Sequence, residues 1–233
     1  MRIQNSFTNV FLVIVFLLSV ETISAQRFLG AVAAGANLTR LNGDEADAGL
    51  TYNKFGANLA AAVILPFGNN WDITLETTFS QKGSRQGENP SNDYPWKYNL
   101  RLNYVEVPLL IHYNDKNRIK GGLGMSWGRL VSYKETEDDG NRPPYAEIEK
   151  FSDNDFSAVA EILIRLYKKL HLNIRYTRSI VPIRKREFTY PPTNPPDPSQ
   201  PNITDVWERD QYNSVITVRF VYIINEKLID GDN

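Results

Sequence analysis

The 233-residue chain has no cysteine. That excludes disulfides, thiolate chemistry and a lipid-modified cysteine behind a leader. An exported chain of this size must then be held together by its core or by closure of a sheet. Histidine is nearly absent, with two residues, His112 and His171. No metal centre or other cofactor is expected from so few imidazoles. Neither sign of charge dominates: 26 basic and 27 acidic residues leave a net charge of −1. That balance lacks the electrostatic footprint of a nucleic-acid binder. Beyond the N-terminus there is no apolar run approaching 18 residues and almost no helical periodicity, so no spanning helix is expected.

The one long apolar run lies at the start. Arg2 precedes residues 10–20 (VFLVIVFLLSV), and Ile23-Ser24-Ala25 follows. A charged start, a short apolar centre and small residues at the end form the layout of a secretory leader. Eleven apolar residues are too few for a membrane anchor. Residues 1–25 are therefore read as a cleaved signal peptide and Gln26 as the mature N-terminus. The leader carries only Arg2 and Glu21 as charges, so its removal leaves the net charge unchanged.

What the mature chain has in plenty is period-2 alternation and aromatic side chains, the latter 12% of all residues. In 170–177, Leu170, Leu172, Ile174 and Tyr176 alternate with His171, Asn173, Arg175 and Thr177. A strand places each set on its own face; a helix would scatter them. The same alternation marks 71–82 and 212–222. Eight strands are predicted near 28–38, 52–66, 71–83, 98–113, 118–132, 156–167, 170–181 and 212–222.

Their connections alternate in length. Residues 67–70, 114–117 and 168–169 read as tight turns; 39–51, 84–97, 133–155 and 182–211 read as long loops. An even number of strands, with short turns at one end and long loops at the other, is the pattern of an outer-membrane barrel. The expectation is an all-β fold: a closed, eight-stranded, antiparallel up-and-down barrel over 26–222. Short turns would face the periplasm and long loops the exterior, with 223–233 a short periplasmic tail. Phe67, Trp71, Tyr113, Tyr167, Tyr212 and Tyr222 lie at predicted strand ends, as interfacial girdles require. Residues 182–211 carry seven prolines, so this segment reads as an extended surface loop rather than a strand.

The polar phase of the strands carries the one specific constellation: Asp72, Glu76, Glu106, Lys120, Glu161, Arg165, Arg175 and Arg219. Eight-stranded barrels have interiors just wide enough for side chains to fill. Charges buried there must pair, so these eight are read as a structural ion-pair network plugging the lumen. Glu76, Glu106, Glu161 and Arg175 are expected to meet at one depth. His112 and His171, each beside a turn, read as solvated, and the acidic run 135–139 (ETEDD) reads as a solvated loop. Gly121, Gly122, Gly124 and Gly128 lack the Lys-Ser/Thr of a phosphate loop and read as sites of curvature or close packing. No G-x-S-x-G signature occurs, and no enzymatic activity is expected.

The segments ETTFSQKGS (76–84) and LNYVEVPLLIHY (102–113), followed by GGLGMSWGRLVS (121–132), resemble the PorT-like family of outer-membrane β-barrels. GANLTRL (35–41) is similar to the opening strand and loop of that family. The resemblance implies an eight-stranded barrel in the outer membrane. The family's namesake serves type IX protein secretion, whereas most members have no assigned activity. The proline-rich last loop departs from the family pattern, as does INEKLIDGDN after Tyr222, where an outer-membrane strand often ends on an aromatic.

The expected function is that of a structural or interaction component of the outer membrane, accessory to type IX secretion if the resemblance extends that far. Its partners would be outer-membrane lipids and secretion-machinery proteins. A small-solute pore or transporter is the first alternative. A soluble exported lipocalin-like binder is the second, although it would have to turn its apolar phase inward.

Overall fold

The computed structural model describes residues 28–43, 52–86, 97–115, 118–138, 150–190 and 205–225. The expected leader and the end of the expected tail, 226–233, lie outside them. The strands are β1 (Leu29–Asn42), β2 (Lys54–Phe67), β3 (Trp71–Gln86), β4 (Lys97–Asp115), β5 (Ile119–Asp138), β6 (Asn154–Tyr167), β7 (Leu170–Ser179), β8 (Arg184–Tyr190) and β9 (Asp205–Ile223). Each of β1 to β7 pairs antiparallel with the next, and β9 pairs with both β7 and β1. The β1–β9 ladder runs from Ala31↔Ile223 to Asn42↔Tyr212. It closes the sheet into a barrel of eight staves, which leaves no backbone donor or acceptor row open to lipid.

β8 is not a ninth stave. It pairs only with the start of β9, from Arg184↔Gln211 to Tyr190↔Asp205, and so prolongs the seventh stave beyond a break. Pro182 sits in that break. It has no N–H for the ladder, and its ring fixes the backbone. The chain recovers at once, since Ile183 N–H donates to Gln211 O at 2.8 Å. The expectation that 182–211 is loop throughout is thus corrected: 184–190 and 205–211 form an antiparallel ribbon. The prolines argue against a strand only where they stand, and the cluster at 191–201 lies outside the described residues.

The two side-chain phases separate cleanly. Val63, Leu75, Leu109, Leu123, Ile162, Ile174, Val218 and Phe220 face outward and are exposed. This apolar belt faces acyl chains, and the polar phase faces in. The lipocalin-like alternative needs the reverse and is set aside. Phe67, Trp71, Tyr113, Tyr167 and Tyr222 are exposed beside the tight turns, and the Trp71 and Tyr113 rings meet edge-on at 5.0 Å. Tyr212 departs from the expected girdle. β9 starts seven residues earlier than expected, so Tyr212 lies within the strand, opposite Asn42.

Candidate functional site

The lumen is stratified along the barrel axis. At the end bearing the tight turns, Ala31, Ile64, Leu163, Val221 and Ile223 form a buried apolar floor. At the other end Leu41, Leu100, Leu102, Tyr104, Phe151 and Ile183 form a second apolar layer. Charged and amide side chains fill the space between. The strand alternation predicts an inward polar phase but not its apolar ends, because a few large residues such as Leu163 and Tyr104 replace polar ones in phase.

Glu76, Glu161, Arg175 and Arg219 make the centre of the middle layer. Arg175 donates from Nε to Glu161 Oε2 (2.5 Å) and from Nη2 to Glu76 Oε1 (2.8 Å). Arg219 Nη2 donates to both Glu76 oxygens (2.8 and 3.1 Å), and its Nε donates to Asn173 Oδ1 (2.8 Å). Arg219 is only 1% exposed, and each of these groups is charge-paired and hydrogen-bonded, as burial in a narrow lumen demands.

The network continues through His112. Its Nδ1 lies 2.9 Å from Asp72 Oδ1 and its Nε2 lies 2.8 Å from Glu161 Oε1. Lys120 Nζ closes on Asp72 Oδ2 at 3.1 Å. Gly122 makes this link available. It stands between His112 and Glu161 in the β4–β5–β6 register, where an added Cβ would come within 2.2 Å of His112 Cδ2. The expectation that both histidines are solvated is corrected: His112 is 3% and His171 2% exposed. Nearness to a turn does not decide exposure in a barrel, because the inward phase remains enclosed close to the turn.

Glu106 belongs to a different group from the one expected. It pairs with Lys82 Nζ at 2.5 Å, and Lys82 also reaches Asp155 Oδ2 at 2.9 Å. The register explains this. Glu106 opposes Gly128, which opposes Asp155, whereas Glu161 lies in the row of Gly122 and His112. Barrel stagger, not the count of residues from a turn, sets depth. Asn213 Nδ2 and Ser157 Oγ also donate to Asp155 (2.9 and 3.1 Å).

Seven of the eight expected lumen residues thus fall in these two groups: Asp72, Glu76, Lys120, Glu161, Arg175 and Arg219 in one, Glu106 in the other. Arg165 lies lower, half-buried near the turn end, opposite His171. The residues missed were Lys82, His112 and Asp155. Lys82 and His112 share the inward phase of Asp72 and Glu106, so alternation alone would have found them. Asp155 lies one residue before the predicted start of its strand.

The mouth is closed from above. Arg184 holds Glu135 (Nη1 to Oε2, 3.1 Å) and lies over the Phe151 ring at 4.1 Å. Ser152 N–H donates to Ile183 O at 2.7 Å. Glu135 is therefore no solvated loop residue, since β5 runs to Asp138 and points it into the mouth. The void between Asn58, Lys82, Glu106, Arg175 and Thr217 is about 10 Å³, room for about one water. Among the described residues no cluster of His, Asp and Glu has the arrangement of a metal centre.

Solved structures with similar strand arrangements include the attachment invasion locus protein Ail of Yersinia pestis, at 13% identity and a TM-score of 0.43, covering 84% of this chain and 98% of that one. Neisserial surface protein A has 10% identity and a TM-score of 0.40, with 84% and 96% covered. The outer membrane protein AlkL has 13% identity and a TM-score of 0.35, with 88% and 96% covered. No curated protein matches the chain. The family model described as outer membrane protein beta-barrel domain matches residues 24–184. With its closed eight-stave barrel and outward apolar belt, the chain belongs to the outer membrane protein beta-barrel domain family and resides in the outer membrane.

Proposed function

We propose that this barrel is a closed scaffold that carries an interaction surface at the cell exterior and conducts no solute. The observation that carries this reading is the filled lumen: apolar layers at both ends, paired charges between them and an interior void of about 10 Å³. A hydrated pore needs a continuous polar path, and two apolar constrictions with a plug of paired charges oppose one. β3, β4 and β5 are 16 to 20 residues long, against roughly 9–11 for a tilted span. They rise past the membrane together with the β8–β9 ribbon and supply surface for a partner. The PorT-like resemblance makes type IX secretion components the partner class within this reading, and no enzymatic step belongs to it.

Two measurements test it. In planar bilayers the refolded protein is expected to give no steady conductance steps; regular steps would favour the pore. In intact envelopes, mild crosslinking is expected to join the protein to type IX components. Their absence from the crosslinked material would remove the secretion role while leaving the scaffold reading open to another partner.

A further inference from the structure

The outward face of β3, β4 and β5 changes character above the apolar belt in registered rows. Phe79 opposes Val105. Two residues further from the turns, Gln81, Asn103 and Ser132 stand side by side. They are tied by Gln81 Nε2 to Asn103 Oδ1 (3.0 Å) and Asn103 Nδ2 to Ser132 Oγ (2.9 Å). The next row places Arg101 between Gly83 and Lys134, and the one above it aligns Arg85, Asn99 and Thr136. Rows on one face are about 6.6 Å apart along a strand. The cations therefore begin about 13 Å along the strand from Phe79, which tilt reduces to a headgroup's depth.

Arg85, Arg101 and Lys134 are all exposed. Among the described residues none of the three has a carboxylate partner, whereas nearby Arg129 is held by Asp153 at 2.9 Å. Lys54 adds a fourth positive charge from behind, its Nζ donating to Asn99 Oδ1 at 2.6 Å. Gly83, with φ of +143°, contributes no side chain beside Arg101, and a Cβ there would meet Leu100 O. The result is a shelf of guanidinium and ammonium groups, separated from the apolar wall of Phe79 and Val105 by one row of neutral polar side chains.

We propose that this outward cationic face of β3–β5 is a docking site for the phosphorylated headgroup of an outer-leaflet glycolipid. Charge complementarity selects the phosphates, since guanidinium and ammonium groups are strong phosphate donors. Continuity with the apolar belt selects a lipid over a soluble anion, because acyl chains lie along Phe79 and Val105 while the headgroup reaches the cations.

The test uses the refolded mature protein in detergent, with bisphosphorylated lipid A, fully dephosphorylated lipid A and inorganic phosphate as probes. The triple variant Arg85→Gln/Arg101→Gln/Lys134→Gln is compared with Arg178→Gln/Lys185→Gln, which removes two exposed cations on β7 and β8. Each membrane-surface cation contributes a factor of about five, so the triple variant is expected to bind bisphosphorylated lipid A on the order of a hundredfold more weakly. The control variant should bind as wild type does, and the dephosphorylated lipid should bind far more weakly to wild type. Unchanged affinity in the triple variant, or equal affinity for dephosphorylated lipid, would overturn the proposal. Displacement of the lipid by an equal concentration of inorganic phosphate would also overturn it, by showing a plain anion site. Heat-modifiable gel mobility checks folding; if the triple variant fails that check, Arg101→Gln alone should weaken binding about fivefold.

Discussion

Arg175 is gripped by two carboxylates, Glu161 at 2.5 Å and Glu76 at 2.8 Å, while Arg219 shares Glu76. Replacing Arg175 with Met would leave Glu161 with His112 at 2.8 Å and only a long contact to Arg219 at 3.8 Å, and would leave Glu76 with Arg219 as its one cation. Removing one partner of a buried pair costs about 3–5 kcal/mol, which urea unfolding in lipid vesicles would register as a lower midpoint. The register also predicts which second change rescues it. Glu161→Gln should recover part of the loss, because it removes the carboxylate left short of a cation. Glu106→Gln should not, because Glu106 belongs to Lys82. Equal rescue by both would mean that the two groups share charge through water. Gly122 tests the same network by volume. Gly122→Ala forces a methyl against the His112 ring and opens the His112–Glu161 contact, at an expected cost of about 2–4 kcal/mol in the same unfolding measurement. A neutral result would show that the ring can turn aside without loss.

β7 shows how much of an element can be read from its residues. Strict alternation in LHLNIRYTRS gives a strand with His171, Asn173, Arg175 and Thr177 inward and Ile174 and Tyr176 outward, and the structure has both phases so. Alternation works because a wall of single-strand thickness separates lipid from lumen. Ile174→Arg places a charge on the lipid side, with an expected cost of about 2–4 kcal/mol near the bilayer centre, read from the same urea midpoints. Little or no loss would mean that this face is shielded from lipid by another protein. The ends of elements were less legible. Lys82 and His112 could be found from phase, but Asp155 depends on where β6 starts. The β8–β9 ribbon is hidden in the sequence because seven prolines make the whole of 182–211 read as loop. Depth within the barrel is not legible at all: it depends on interstrand stagger, which no single strand encodes, and so strand phase and turn distance place Glu106 with Glu161 although the register separates them.

Closure governs the molecule as a whole. Every stave hydrogen-bonds on both sides, with β1 to β9 completing the ring, so opening the barrel breaks an entire ladder at once. The folded protein is therefore expected to stay compact in cold detergent and to change gel mobility only on heating. The absence of cysteine also allows its orientation to be tested without background. Single cysteines are introduced at Asn69, in the turn between β2 and β3, and at Thr193, in the connection between β8 and β9. If the short turns are periplasmic, a membrane-impermeant maleimide added to intact cells should label Thr193→Cys and leave Asn69→Cys unlabelled until the outer membrane is permeabilised. Asn69 lies in the tight turn, away from the paired charges, so its substitution should not disturb the lumen. The reverse labelling pattern would turn the barrel over. It would put Arg85, Arg101 and Lys134 at the periplasmic surface, where no outer-leaflet glycolipid could reach them.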